Sequence, residues 1–206
     1  QYEKALAKNW DVLLCLPSKL RSEKYSRIAL TANGFALLHL PQAHRTDSLC
    51  ELAISQNGMV LQYIPHENRN IDWCRRAVEQ DGRALSFVPR ALRDMAIYLT
   101  AVRKHGRMLD SVPTEMRSFE ICEAAVLNDP RALKWVPETL RSPELCLAAV
   151  TQAGSTLRWV PQHLRSPELC MAAVTQDGLS LKHVPLASRS EALHEAAIRQ
   201  NGEALE

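Results

Sequence analysis

The sequence predicts an all-α solenoid of about 8.5 tandem 24-residue repeats, each one α-helix plus a short α or 3-10 helix, stacked into a superhelix. Three observations carry this. Prolines fall at Pro17, Pro41, Pro65, Pro89, Pro113, Pro137, Pro161 and Pro185, each 24 residues after the last. All 7 glycines lie on a second comb of the same period, from Gly34 to Gly202, whose one missing tooth is Pro130. Leucine from Leu13 to Leu205 and alanine from Ala5 to Ala197 recur without exception at that spacing.

The repeat that runs from Arg141 to Pro161 shows how each element arises. Ser142 reads as an N-cap, and its column is Ser22, Thr46, Asn70, Asp94, Ser118, Ser142, Ser166 and Ser190. Every member has a side-chain oxygen able to accept a free N–H of the first turn. Pro143 and Pro167 then occupy the first helical position, where the missing N–H costs nothing. Glu144 and Glu168 place negative charge at the positive helix end. Leu145, Cys146, Ala149 and Val150 form one apolar stripe at helical spacing. Gly154 is expected to end the helix as a left-handed residue, giving a helix of about 11 residues, ~16 Å long.

A second segment spans 155–160. Its constant apolar residues, Leu157 and Val160, are three apart, which fits a helical turn and not the alternation of a strand. It stops before Pro161, whose ring disfavours helical geometry in the residue ahead. A leucine-rich-repeat horseshoe is set aside, because its strand pattern and asparagine column are absent. A helix this short is marginal alone in water, so stacking must supply the partner for its apolar face.

Composition excludes several classes. With 46% hydrophobic and 23% charged residues the chain is not disordered, and no apolar run approaches the ~18 residues of a membrane span. No secretory signal is visible, and no membrane insertion is expected. The net charge of +2 is low for a nucleic-acid solenoid. No linker interrupts the register, so residues 1–206 read as one continuous repeat domain, expected to continue beyond both ends as part of a longer array or larger protein. The N-terminal half is the least regular, with His44, Asn68, Arg76 and Thr100 replacing apolar or small residues, and looser packing is expected there.

Five of six cysteines share one column, Cys50, Cys74, Cys122, Cys146 and Cys170. No Cys-x-x-Cys pair is present to hold a metal, and stacked helices ~8–10 Å apart exceed the ~7 Å Cα limit of a disulfide. Buried, reduced thiols follow, and with them a cytoplasmic location, which includes a host cytosol for a delivered protein. The seven histidines scatter over five columns, so no cluster forms. There is no phosphate loop, nucleophile elbow or His-Glu-x-x-His. No catalytic residue, cofactor or metal is assigned, and the segment is expected not to be an enzyme.

Two columns invite a functional reading. Arg21, Arg45, Arg69, Arg93, Arg117, Arg141, Arg165 and Arg189 occupy one position in eight copies. They could form a polybasic track, or serve structure by donating to carbonyls of the loops beside them. Strict invariance beside freely drifting exposed columns favours the second role. The other column varies. The second segment carries Tyr63, Phe87, Trp135, Trp159 and His183, with Lys134, Arg158 and Lys182 beside the last three. Such an aromatic and basic strip uses the residue types of binding hot spots. A nearby stripe of Arg83, Arg107 and Arg131 reads as a solvated face, and a glutamine column (Gln56, Gln80, Gln152, Gln176, Gln200) as stacked or solvated amides.

The run Ala-Ala-Val-Thr-Gln-Asp-Gly-Leu-Ser-Leu-Lys-His-Val-Pro over 172–185 resembles the repeat of domain of unknown function 4116, which alternates a small/Val pair, a polar-Gly helix end and a Leu-x-x-apolar segment. The resemblance covers the whole chain, best from Arg117 to Pro185, and departs in its consistent proline after the second segment. Repeat length and the α-plus-short-helix pattern are also similar to the leucine-rich repeat variant family. Neither family supplies catalytic residues. The expected function is a non-catalytic scaffold that binds a protein or peptide partner along the aromatic/basic strip. The alternatives are an RNA- or polyanion-binding solenoid, and a substrate-recruiting or structural arm of a larger bacterial effector or enzyme.

Overall fold

The computed structural model describes residues 2–17 and 22–202. The chain divides into two compact units, Gln1–Lys104 and His105–Glu206. The first holds helices α1 (Tyr2–Lys8), α2 (Val12–Cys15), α3 (Glu23–Ala32), α4 (Asp47–Gln56), α5 (Ile71–Gln80) and α6 (Met95–Lys104). The second holds α7 (Phe119–Asn128), α8 (Pro143–Gln152), α9 (Pro167–Gln176) and α10 (Glu191–Gln200). The fold is all-helical, with no strand among the described residues. Within each unit successive α-helices from α3 onward pack side by side, and the short helices between them form a parallel second layer. Each unit is thus a stack of helical repeats. No helix of the described residues is long and apolar enough to cross a membrane.

The helix starts follow the cap column. Ser142 is extended, and its hydroxyl accepts from the Leu145 N–H at 3.2 Å. Asn70 and Asp94 accept from the equivalent N–H groups of Trp73 and Ile97 at 2.8 Å each. Ser22 and Thr46 lack this side-chain bond.

The helix ends differ from expectation. No residue described has a positive φ, so no glycine is left-handed. The α-helix closes one residue earlier, at a residue that also opens the next helix. Asn57 is extended (φ −155°, ψ 112°), and its N–H still donates to the Ala53 carbonyl. Its Oδ1 meanwhile accepts from the Met59 N–H at 2.9 Å, capping the 3-10 helix Gly58–Tyr63. Asn33, Asp81, Asp129 and Asp177 do the same.

Glycine is needed for a steric reason instead. A Cβ on Gly34 would lie 2.5 Å from the carbonyl oxygen of Ala53 in the following α-helix, and one on Gly178 would lie 2.6 Å from that of Ala197. The glycine and alanine combs therefore describe one contact between neighbouring repeats. Pro130 breaks it, and α7 and α8 meet across a sparser contact than α8 and α9.

The second segment is a 3-10 helix of six residues, such as Gly154–Trp159, ended by an extended Val160 before Pro161. A further 3-10 turn, Gln162–Leu164, follows the proline and recurs in each repeat from Gln42–His44 to Leu186–Ser188. The core consists of the constant leucines and alanines together with Cys50, Cys74, Cys122, Cys146 and Cys170, all buried; Cys15 is exposed and all six are free. Burial pushes the Cys122 and Cys146 thiols up to about 11. The looser packing expected of the N-terminal half does not occur, since the two units are equally compact. His44, Asn68 and Arg76 sit at exposed positions, and the core never meets them.

Candidate binding strip

The rungs of the strip are held by the arginine column. Arg141 Nε donates to the Val136 carbonyl of its own repeat at 3.0 Å, and Nη1 donates to the Trp159 carbonyl of the next repeat at 2.5 Å. Arg117 links Val112 (2.9 Å) to Trp135 (2.6 Å), and Arg165 links Val160 (2.9 Å) to His183 (2.6 Å). In the first unit Arg45 links Leu40 (2.9 Å) to Tyr63 (2.6 Å). Arg69 is buried and donates to the carbonyls of Ile64, Gln62 and Phe87. Arg93 and Arg189 donate from Nε to Val88 (2.9 Å) and Val184 (3.1 Å). Arg21 lies outside the described residues.

The logic is that of a helix terminus. The last carbonyls of a 3-10 helix have no partner inside it, and a guanidinium can serve several from one fixed fork. The carbonyls it serves belong to the strip residues themselves, so each rung is fixed by its neighbour. Donors spent this way are not available to a bound polyanion.

A second ladder runs along the helix ends. Gln176 Oε1 accepts from the Gly154 N–H at 2.5 Å, and Gln200 Oε1 from the Gly178 N–H at 2.6 Å. Their amide groups donate to the carbonyls of Gln152 and Gln176, at 3.3 Å each. Asn128 Oδ1 serves the Gly106 N–H at 2.6 Å. Pro130 has no N–H, so Gln152 has none to accept.

In the second unit the aromatic side chains of Trp135, Trp159 and His183 are half-buried, and Lys134, Arg158 and Lys182 are exposed beside them. Lys134 Nζ lies 5.4 Å from the centre of the Trp135 ring, and the Arg158 guanidinium 4.1 Å from that of Trp159. Both are cation–π distances. Burial, then the charges of Lys182, Arg158 and Arg165, hold His183 below its ordinary value, so it is neutral at pH 7. The short helices carrying these pairs lie against one another, making one continuous row.

The first unit brings Tyr63 and Phe87 into the same register with different neighbours. Tyr63 meets Phe35 edge-on at 6.2 Å, and His39 stacks on Trp10 at 5.4 Å. The residues beside this row are Leu38, Gln62 and Ser86, which carry no charge. The Arg83 and Arg107 side chains pair with Asp81 (2.6 Å) and Asp129 (3.1 Å), which removes much of that stripe's charge. No metal-binding group of His, Cys, Asp or Glu occurs among the described residues.

Sequence reasoning missed two features. One is the doubled use of Asn57 and its column as a cap, although Asn or Asp ahead of a helix is a local signal. The other is the apolar groove between the starts of α8 and α9, which exists only once two repeats are side by side.

No curated protein and no solved structure matches the chain. The model of a domain of unknown function (DUF4116) matches residues 47–93 and 94–141, upstream of the 117–185 stretch expected to resemble it best and overlapping it only over 117–141. Each match takes in two of the 24-residue repeats, one α-helix and its 3-10 segments per repeat. Residues 47–141 of this chain thus carry two consecutive matches to the helical repeats of the DUF4116 family.

Proposed function

We propose that this segment is a non-catalytic scaffold that binds an acidic protein or peptide segment along Lys134–Trp135, Arg158–Trp159 and Lys182–His183. The observation that carries the reading is the row of three exposed cations, none of which makes an ion pair among the described residues, on rungs fixed from behind by Arg117, Arg141 and Arg165. Fixed rungs reduce the ordering cost of binding. Cations lying over indole faces present charge and apolar area together, the combination enriched at hot spots. The arginine column, which would be the main asset of a polyanion track, is occupied with backbone carbonyls.

The test is fluorescence anisotropy with a labelled peptide repeating Glu-Leu-Pro, on the full chain. Replacing Lys134, Arg158 and Lys182 by Glu is expected to weaken binding at least about tenfold, or ~1.4 kcal/mol, with the melting curve unchanged because all three side chains are exposed. Unchanged affinity in that folded variant overturns the assignment. Tighter, steeply salt-dependent binding of single-stranded RNA at the same residues would transfer the strip to nucleic acid.

A further inference from the structure

The α-helical side of the second unit has the opposite character. Helices α7, α8 and α9 contain no lysine or arginine. An apolar groove of about 370 Å³ runs between the starts of α8 and α9, lined by Pro143, Leu147, Leu164 and Leu169. Leu147 leaves 44% of its surface in solvent, which is high for a large apolar side chain with no partner over it. Glu144 and Glu168 stand at its edges. Their own helix N–H groups and the Ser142 and Ser166 hydroxyls hold both carboxyls below the ordinary value, so both are ionised at neutral pH. Neither makes an ion pair among the described residues. A full negative charge on each outweighs the roughly half positive charge of the helix start beneath it.

We infer that this groove docks a basic segment of a partner protein in which cationic residues alternate with apolar ones. Charge selects the sign of the partner, since two unpaired carboxylates rim the groove and no cation stands on the helices that form it. Pitch selects its spacing. Equivalent residues of adjacent repeats recur at the separation of packed helices, ~8–10 Å. A polyproline-II segment returns to the same face every three residues, about 9 Å. Cations three residues apart on such a segment reach Glu144 and Glu168 together, and the apolar residue between them enters the groove at Leu147 and Leu164. This site is independent of the aromatic strip and takes ligands of opposite charge.

The test uses a fluorescein-labelled peptide repeating Arg-Leu-Pro four times, with the full chain. Binding is expected to weaken at least about tenfold in Leu147→Ser and in the pair Glu144→Gln with Glu168→Gln. The peptide repeating Arg-Ser-Pro, with the same charge and no apolar side chain, is expected to bind about tenfold more weakly. Trp159→Phe, in the strip, is expected to leave the affinity within about twofold. The three altered groove residues lie at exposed or groove-facing positions, and a circular-dichroism melt verifies that each variant is folded. The proposal is overturned if folded Leu147→Ser binds as the parent does, if Arg-Ser-Pro binds as well as Arg-Leu-Pro, or if Trp159→Phe loses the peptide. None of these outcomes depends on whether the strip binds acidic peptide.

Discussion

The two units share a backbone and differ in what they display. In the first, the α-helices carry charges of both signs, and these pair: Lys24 with Glu3 at 2.6 Å, Arg27 with Glu23 at 3.2 Å, Arg75 with Asp94 at 2.9 Å. Its short-helix row is uncharged, with Leu38, Gln62 and Ser86 beside the aromatic positions. In the second unit the charges are sorted. Helices α7 to α9 are acidic without a basic residue, and the short-helix row carries Lys134, Arg158 and Lys182. Exposed ion pairs such as those of the first unit contribute little to stability, so the difference is one of recognition. The constant columns build the same rod section twice, and the free columns give it two surfaces.

If that division is right, changes in the constant columns should cost stability in both units alike. Arg69→Ala removes three bonds to carbonyls from a buried guanidinium and is expected to cost about 4 kcal/mol by urea unfolding. Arg141→Ala removes two and should cost ~3 kcal/mol. Lysine at either place should recover little, because an ammonium cannot span the same acceptors. A loss under ~0.5 kcal/mol at both would remove the arginines from the frame of the fold.

Gly58→Ala in the first unit and Gly154→Ala in the second place a methyl against the carbonyl oxygens of Ala77 and Ala173. Each is expected to cost about 2–3 kcal/mol, the range of overpacking. Unequal losses would show that one unit absorbs the shift where the other cannot.

The glutamine ladder sharpens the comparison inside the second unit. Gln176→Ala strands the Gly154 N–H and should cost about 1 kcal/mol. Gln152→Ala faces Pro130, which has no N–H to strand, and should cost under ~0.3 kcal/mol. Equal losses would refute the role given to Pro130.

The smallest effect at neutral pH is a shared one. The thiols of Cys50 in the first unit and Cys122 and Cys146 in the second are pushed by burial from 9.0 to about 11. The folded state keeps these protons where the unfolded chain loses them. Their contribution is whole below pH 9 and falls as pH rises toward 11. Unfolding at a series of alkaline pH values should show this decline, and Cys15 alone should react with a thiol reagent at pH 8.

The sequence by itself determined what rests on neighbours in the chain. Ser142 before Pro143 and Glu144 starts a helix wherever it occurs, and Val160 before Pro161 must be extended, because caps and prolines act within a few residues. The adjacency of Arg158 and Trp159 was legible for the same reason. Only the tertiary structure decided what rests on residues 18 or 19 apart. Gly154 is glycine because Ala173 of the next repeat lies against it, not because its own φ is positive. Arg141 is arginine because the Trp159 carbonyl is within its reach. The groove at Leu147 likewise exists only between two stacked helices. A 24-residue comb announces that such contacts recur, but which atoms meet is settled when the repeats close on one another, since steric exclusion and hydrogen-bond reach act through space and not along the chain.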